Sequence, residues 1–139
     1  MKRTYIDANV LIAAFQGEES VAQRAFRVLD DPDRKLVVSD YLRLEVLPKP
    51  TFHRRREEVE FMQSVLDQAE NVLSSSDLTG KSLEFAAKYD MTPIDALHVG
   101  ASAVAAVDEF ITMEKPTKPM CKVLEITVKS LHSSTAEPR

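Results

Sequence analysis

The chain has 139 residues, 44% of them hydrophobic and 29% charged, which suits one globular core and excludes a disordered chain. Its net charge of -4 excludes attachment to nucleic acid through the overall field, so any polyanion has to be met by a local basic patch. The lone cysteine, Cys121, excludes an internal disulfide and a multi-cysteine zinc site and suits a reducing, cytoplasmic setting.

Lys2 and Arg3 precede an apolar run as in a signal peptide, but Asp7 and Asn9 interrupt that run and no small-residue cleavage site follows. Nowhere do about 18 apolar residues run uninterrupted, as a membrane span requires. "RTYID" (3 to 7) reads as a buried strand leading into helices over 8 to 16 and 19 to 30, the second with Val21, Ala25, Val28 and Leu29 at helical spacing. "KLVVS" (35 to 39) is a second strand, followed by a helix over 40 to 47. "LPKPTF" (47 to 52) reads as a break, because Pro48 and Pro50 cannot continue that helix.

A helix over 54 to 70 carries the apolar stripe Phe61, Met62, Val65 and Leu66, ordinarily core and otherwise a face for a partner. The strand "NVLSS" (71 to 75) and helices over 78 to 89 and 93 to 106 follow. Gly100, among the small residues of the last helix, costs about 1 kcal/mol against Ala, and close backbone packing is the reason to keep it. "EFIT" (109 to 112) and "KVLEI" (122 to 126) complete the strands on either side of the loop "EKPTKPM" (114 to 120). Strand and helix alternate throughout, which predicts an α/β fold: three layers, α/β/α, around a central, mainly parallel five-stranded sheet. One domain spans 1 to 129, and 130 to 139 reads as a frayed tail.

In such a sheet ligands bind beyond the carboxyl ends of the strands, and four acids fall there: Asp7, Glu45, Asp95 and Glu114. The first three interrupt apolar segments, where an unpaired carboxylate is costly, and neither the Asp7 nor the Asp95 segment supplies a Lys or Arg. Acids converging on one crevice repel one another unless a divalent cation sits between them, and an oxygen-only set favours Mg²⁺ or Mn²⁺ over zinc. Each acid also has a structural explanation. Asp7 suits an N-cap, Thr92, Pro93 and Asp95 suit a capping box, and Glu45 can pair with Arg43 or Lys49. The basic patch is Arg43, Lys49, Arg54, Arg55 and Arg56, with His53 beside it, either for RNA phosphates or as a solvated face balanced by Glu57, Glu58 and Glu60. His98, one turn beyond Asp95, reads as a packing or supporting residue rather than a catalyst.

"YIDANVLIAAF", "VSDYLRLEVL", "TPIDALHVGAS" and "DEFITMEKP", in that order and spacing, resemble the successive acidic motifs of PIN-domain ribonucleases, the family that includes VapC-like toxins. The resemblance covers residues 3 to about 126. It implies a Mg²⁺- or Mn²⁺-dependent endoribonuclease, the toxin of a toxin-antitoxin pair, with RNA as substrate, a cognate antitoxin and a homodimer as partners. Asp7, Glu45, Asp95 and Glu114 would then be the catalytic acids and metal ligands, with Asn9 and Thr112 as polar helpers. The family carries Asp where this chain has Glu114, and the extra methylene shifts that carboxylate, leaving Asp108, Glu109 or a water-mediated contact as substitutes. The alternative is a catalytically silent PIN-like module that binds RNA or protein. A phosphate-acceptor domain built on Asp7 lacks the second Asp and the Lys that such a site needs.

Overall fold

The computed structural model describes residues 1–132 of the chain. Its strands are β1 (Lys2–Ile6), β2 (Arg34–Ser39), β3 (Glu70–Val72), β4 (Glu109–Thr112) and β5 (Val128–Ser130). All pair in parallel, in the order β3-β2-β1-β4-β5. The chain steps outward from β1 to β2 and β3, then returns to lay β4 on the far side of β1. The order therefore reverses between β1 and β4, and the crevice at their carboxyl ends is where a sheet of this class takes its ligand.

Side chains alternate across each strand, so neighbouring residues enter different cores. Ile6, Val38 and Ile111 face one layer of helices, α1 (Ala8–Gln16), α2 (Glu19–Leu29), α3 (Asp40–Val46) and α5 (Arg56–Gln68), among Val10, Leu11, Leu42, Met62 and Leu66. Tyr5, Val37 and Phe110 face the other, α6 (Ser76–Tyr89) and α7 (Pro93–Ala105), among Leu78, Phe85 and Val99. Met62 and Leu66 are fully buried, with Phe61 and Val65 packed beside them, so the stripe on α5 is core. The result is the expected three-layer α/β/α architecture, with every strand parallel.

α7 can lie close against α6 only because residue 100 is glycine. A β-carbon there would stand 2.3 Å from Ser82 Oγ and 3.1 Å from Ser82 N.

Two segments differ from expectation. Pro48 and Pro50 do not leave a loop but open the short helix α4 (Pro48–Phe52), because a proline in the first turn forfeits no intrahelical N–H bond. The fifth strand forms at Val128–Ser130 rather than over 122 to 126. Before it, Pro119–Lys122 makes a 3₁₀ turn that sends Met120 and Val123 into the core, and Glu125 is tied to Lys88 and Tyr89. Only after those anchors is the chain free to pair with β4, where Phe110 N–H donates to Thr127 O and Leu131 N–H to Thr112 O. Ser130, the start of the expected tail, closes this strand, and 133 to 139 lie outside the described residues. Among the described residues no helix is long and apolar enough to cross a membrane.

Candidate metal centre

β1 ends at the reversal point, and the next residue, Asp7, caps α1. The N-cap role considered for this position is real. Asp7 Oδ1 accepts the Ala8 N–H at 2.8 Å, and Oδ2 accepts the Thr112 hydroxyl at 2.8 Å. The Asp7 N–H donates to Ile111 O at 2.9 Å, which stitches the end of β1 to β4. Only 5% of Asp7 is exposed. Burial pushes its carboxyl above the ordinary range; His98 and the Thr112 hydrogen bond pull the other way, and nearby Asp95 adds to the rise. Capping alone asks for no such burial, since exposed caps serve a helix equally well.

Glu45 comes from α3, whose start is fixed by the Ser39 hydroxyl accepting the Leu42 N–H. It does not pair with Arg43 or Lys49. Its Oε1 meets His98 Nε2, delivered by α7. Behind His98 runs a buried hydroxyl chain: Nδ1 lies 2.7 Å from Tyr5 Oη, and Tyr5 Oη lies 2.7 Å from Ser39 Oγ. Burial holds the Tyr5 phenol far above its ordinary pKa; the Ser39 hydrogen bond opposes this, and Asp7 and Glu45 reinforce it. Tyr5 stays an uncharged hydroxyl, able to donate or accept.

Asn9 clamps the segment after β4. Its Oδ1 accepts the Met113 N–H at 3.0 Å, and its Nδ2 reaches Thr112 Oγ1 at 3.3 Å and Glu114 Oε2 at 3.4 Å. Glu114 N–H in turn donates to Thr112 Oγ1 at 3.1 Å. Asp95 opens α7 after Thr92 and Pro93, but Thr92 makes no side-chain capping bond, so the capping box does not account for this acid. Asp7, Asp95 and Glu114 all act on one neighbour: the Cys121 thiol, pushed up first by burial, is raised further by Glu114, Asp7 and Asp95.

The ligand atoms of Asp7, Glu45 and His98 all lie within 4.8 Å of one another, a spacing that fits one divalent ion. Asp95 and Glu114 flank this group rather than belong to it. Among the described residues, the group tight enough for one ion joins two of the expected acids, Asp7 and Glu45, to the His98 imidazole. His98 was legible as a neighbour of Asp95 at helical spacing, and Tyr5 shares a strand face with Asp7, two residues on. What a linear reading lacked was the packing of α3 against α7.

Glu109 cannot substitute at the Glu114 corner. It begins β4, at the opposite end of the strand, where it is 1% exposed and pairs with Arg34 and Lys129, each at 2.8 Å. Asp108 accepts the Arg3 N–H instead. Among the basic residues, Arg43 is turned inward onto Asn71 Oδ1 and Leu66 O. Lys49, Arg54, Arg55 and Arg56 are exposed around the turn between α4 and α5, with Arg55 near Glu58 at 3.8 Å.

The family model for the PIN domain matches residues 4–114. No curated protein matches the chain. Solved structures share its fold, among them the following three. A toxin-antitoxin complex from Klebsiella pneumoniae aligns with a TM-score of 0.66 and 18% identity, over 89% of this chain and 95% of that one. VapBC2 from Rickettsia felis, bound to a DNA fragment from its promoter, gives 0.62 and 13%, over 92% and 98%. DNA-bound VapBC from Salmonella typhimurium gives 0.64 and 10%, over 94% and 98%.

Proposed function

The chain belongs to the PIN-domain family, and from that membership we propose that it is a metal-dependent endoribonuclease acting as the toxin of a toxin-antitoxin pair. The observation that carries the reading is the meeting of Asp7, Glu45 and His98 within 4.8 Å, at the sheet end where a ligand is expected. Mg²⁺ or Mn²⁺ is the proposed ion; when bound it acidifies water and offsets phosphate charge.

The chain's own residues do the rest. Thr112 and the Ala8 N–H hold both Asp7 oxygens in place, so the carboxylate needs no reorganisation to receive an ion. Glu45 supplies the second ligand oxygen. Asp95 and Glu114 flank the pair and orient the attacking water, one of them accepting its proton. Asn9 keeps Glu114 at the rim. Lys49, Arg54, Arg55 and Arg56 take the RNA backbone by charge, with Arg43 as support from behind. No nucleophilic Ser or Cys is required, which agrees with a raised and therefore unreactive Cys121 thiol.

The fold neighbours are toxin-antitoxin complexes, two with DNA, and that supports a cognate antitoxin as partner. The PIN resemblance supports a homodimer and a cytoplasmic setting.

The test is cleavage of a mixed RNA pool by the full chain with Mn²⁺ or Mg²⁺, against EDTA and against Asp95→Asn with its fold checked by circular dichroism. Metal-dependent cutting lost in the folded variant is the expected result. The silent binding module draws support from Glu114 standing where the family has Asp. It gains the field if neither protein cuts and metal fails to raise the melting temperature.

A further inference from the structure

We infer that His98 Nε2 is itself a metal ligand, making this a mixed carboxylate-imidazole centre that binds Mn²⁺ more tightly than Mg²⁺. The inference deepens the metal-site part of the proposed function and does not depend on RNA cleavage.

Three observations carry it. First, His98 Nε2 falls inside the tight ligand group, whereas Asp95, an acid on the same helix, does not. Second, His98 is 1% exposed and makes its only side-chain contacts with polar groups through Glu45 and Tyr5 among the described hydrogen bonds, so the ring is aimed rather than merely packed. Third, its far nitrogen is held by a hydroxyl chain, the arrangement that orients a ligating imidazole.

That chain has a useful property. In one direction of the chain Nε2–H donates to Glu45, Tyr5 donates to Nδ1, and Ser39 donates to Tyr5. To ligate, Nε2 must present its lone pair. The ring then carries its proton on Nδ1 and donates to Tyr5, which donates to Ser39, whose oxygen already accepts the Leu42 N–H at 3.2 Å. Both hydroxyls remain bonded in either direction of the chain. An ionised carboxylate in place of Tyr5 could only accept and would fix one direction.

An imidazole donor adds affinity for the first-row ions, least for Mn²⁺ at the weak end of that series, whereas Mg²⁺ prefers oxygen ligands and keeps its waters. The imidazole therefore adds affinity for the first class and little for the second.

The experiment uses the metal-stripped full chain with Mn²⁺ as the probe. Electron spin-echo spectroscopy of the bound Mn²⁺ is expected to give ¹⁴N modulation from a directly coordinated imidazole. Calorimetry is expected to find Mn²⁺ at least about tenfold tighter than Mg²⁺. His98→Gln abolishes the modulation and weakens Mn²⁺ about 10- to 100-fold with Mg²⁺ little changed, while Tyr5→Phe keeps the modulation and weakens Mn²⁺ up to about tenfold. If His98→Gln fails to fold, the wild-type spectrum still decides. Bound Mn²⁺ without ¹⁴N modulation, or no Mn²⁺ binding, overturns the inference. Modulation in a protein that cuts no RNA leaves the centre standing and removes the nuclease reading instead.

Discussion

Glu109→Gln removes one negative charge from the end of the sheet remote from the candidate centre. Glu109 accepts the Thr4 hydroxyl at 2.6 Å and Arg34 Nε at 2.8 Å; Lys129 Nζ stands at 2.8 Å and Lys2 Nζ at 3.8 Å. Burial alone would raise this carboxyl, but the bonds from Lys129, Thr4 and Arg34 outweigh it and hold the pKa down at about 2, against an ordinary 4.5. That difference corresponds to roughly 3 kcal/mol undamped. Lys2 and Lys129 are about half exposed and screened by solvent, which reduces it to about 1–2 kcal/mol. The folded pKa is depressed, so this stability is present above the unfolded pKa of 4.5 and is lost as pH falls from there toward 2. Urea unfolding of both proteins is expected to give a loss of about 1–2 kcal/mol near neutrality that roughly halves by about pH 3.5. A loss of the same size at both pH values would refute the reasoning and assign the role of Glu109 to packing.

Gly100→Ala places a methyl against Ser82; its hydroxyl can turn away but its backbone cannot, so a net loss of about 1 kcal/mol remains after the helix-propensity gain, measured by thermal unfolding. Asn9→Ala frees the Met113 N–H and the Glu114 side chain; about 1–2 kcal/mol of stability goes, and cleavage per folded molecule falls with it. Asp7→Asn relieves a buried charge, so the metal-free protein melts no lower and up to about 1 kcal/mol more stable, while the gain on adding Mn²⁺ disappears in a thermal-shift assay. Arg54→Ala with Arg56→Ala weakens RNA without sequence preference, and the slope of log affinity against log salt falls by about 0.7 per charge removed. An unchanged slope would return these arginines to the role of a solvated face.

Most of the secondary structure was legible because its causes are local. Helical spacing fixed α1 at 8 to 16, and the apolar run "EFIT" became β4 without a shift. Strand and helix alternation sufficed for a parallel sheet, and Asp7 at the end of the first strand pointed to the crevice because a strand end followed by a helix start is a sequence pattern. The misreadings were places where a local rule had two outcomes. Prolines at 48 and 50 break one helix and begin another, and only the chain's direction there decides which. The run over 122 to 126 has strand composition, but Met120 and Val123 were needed in the core and Glu125 on Lys88 and Tyr89, so pairing moved on to Val128.

The site divides the same way. The sequence by itself determined that acids occupy apolar positions at strand and helix ends, and that basic residues cluster after the second strand. Tertiary structure decided which groups meet. Glu45 and His98 are 53 residues apart and face each other only because α3 and α7 pack beside the same strand ends. Glu109 looked like a spare ligand for Glu114, five residues on, yet a strand carries its two ends apart and its amino end met Arg34 and Lys129 instead. Residue type and spacing set what a position can do. Which partner it finds depends on distances that only the assembled sheet fixes, and ionic and ligand bonds decay over a few ångströms.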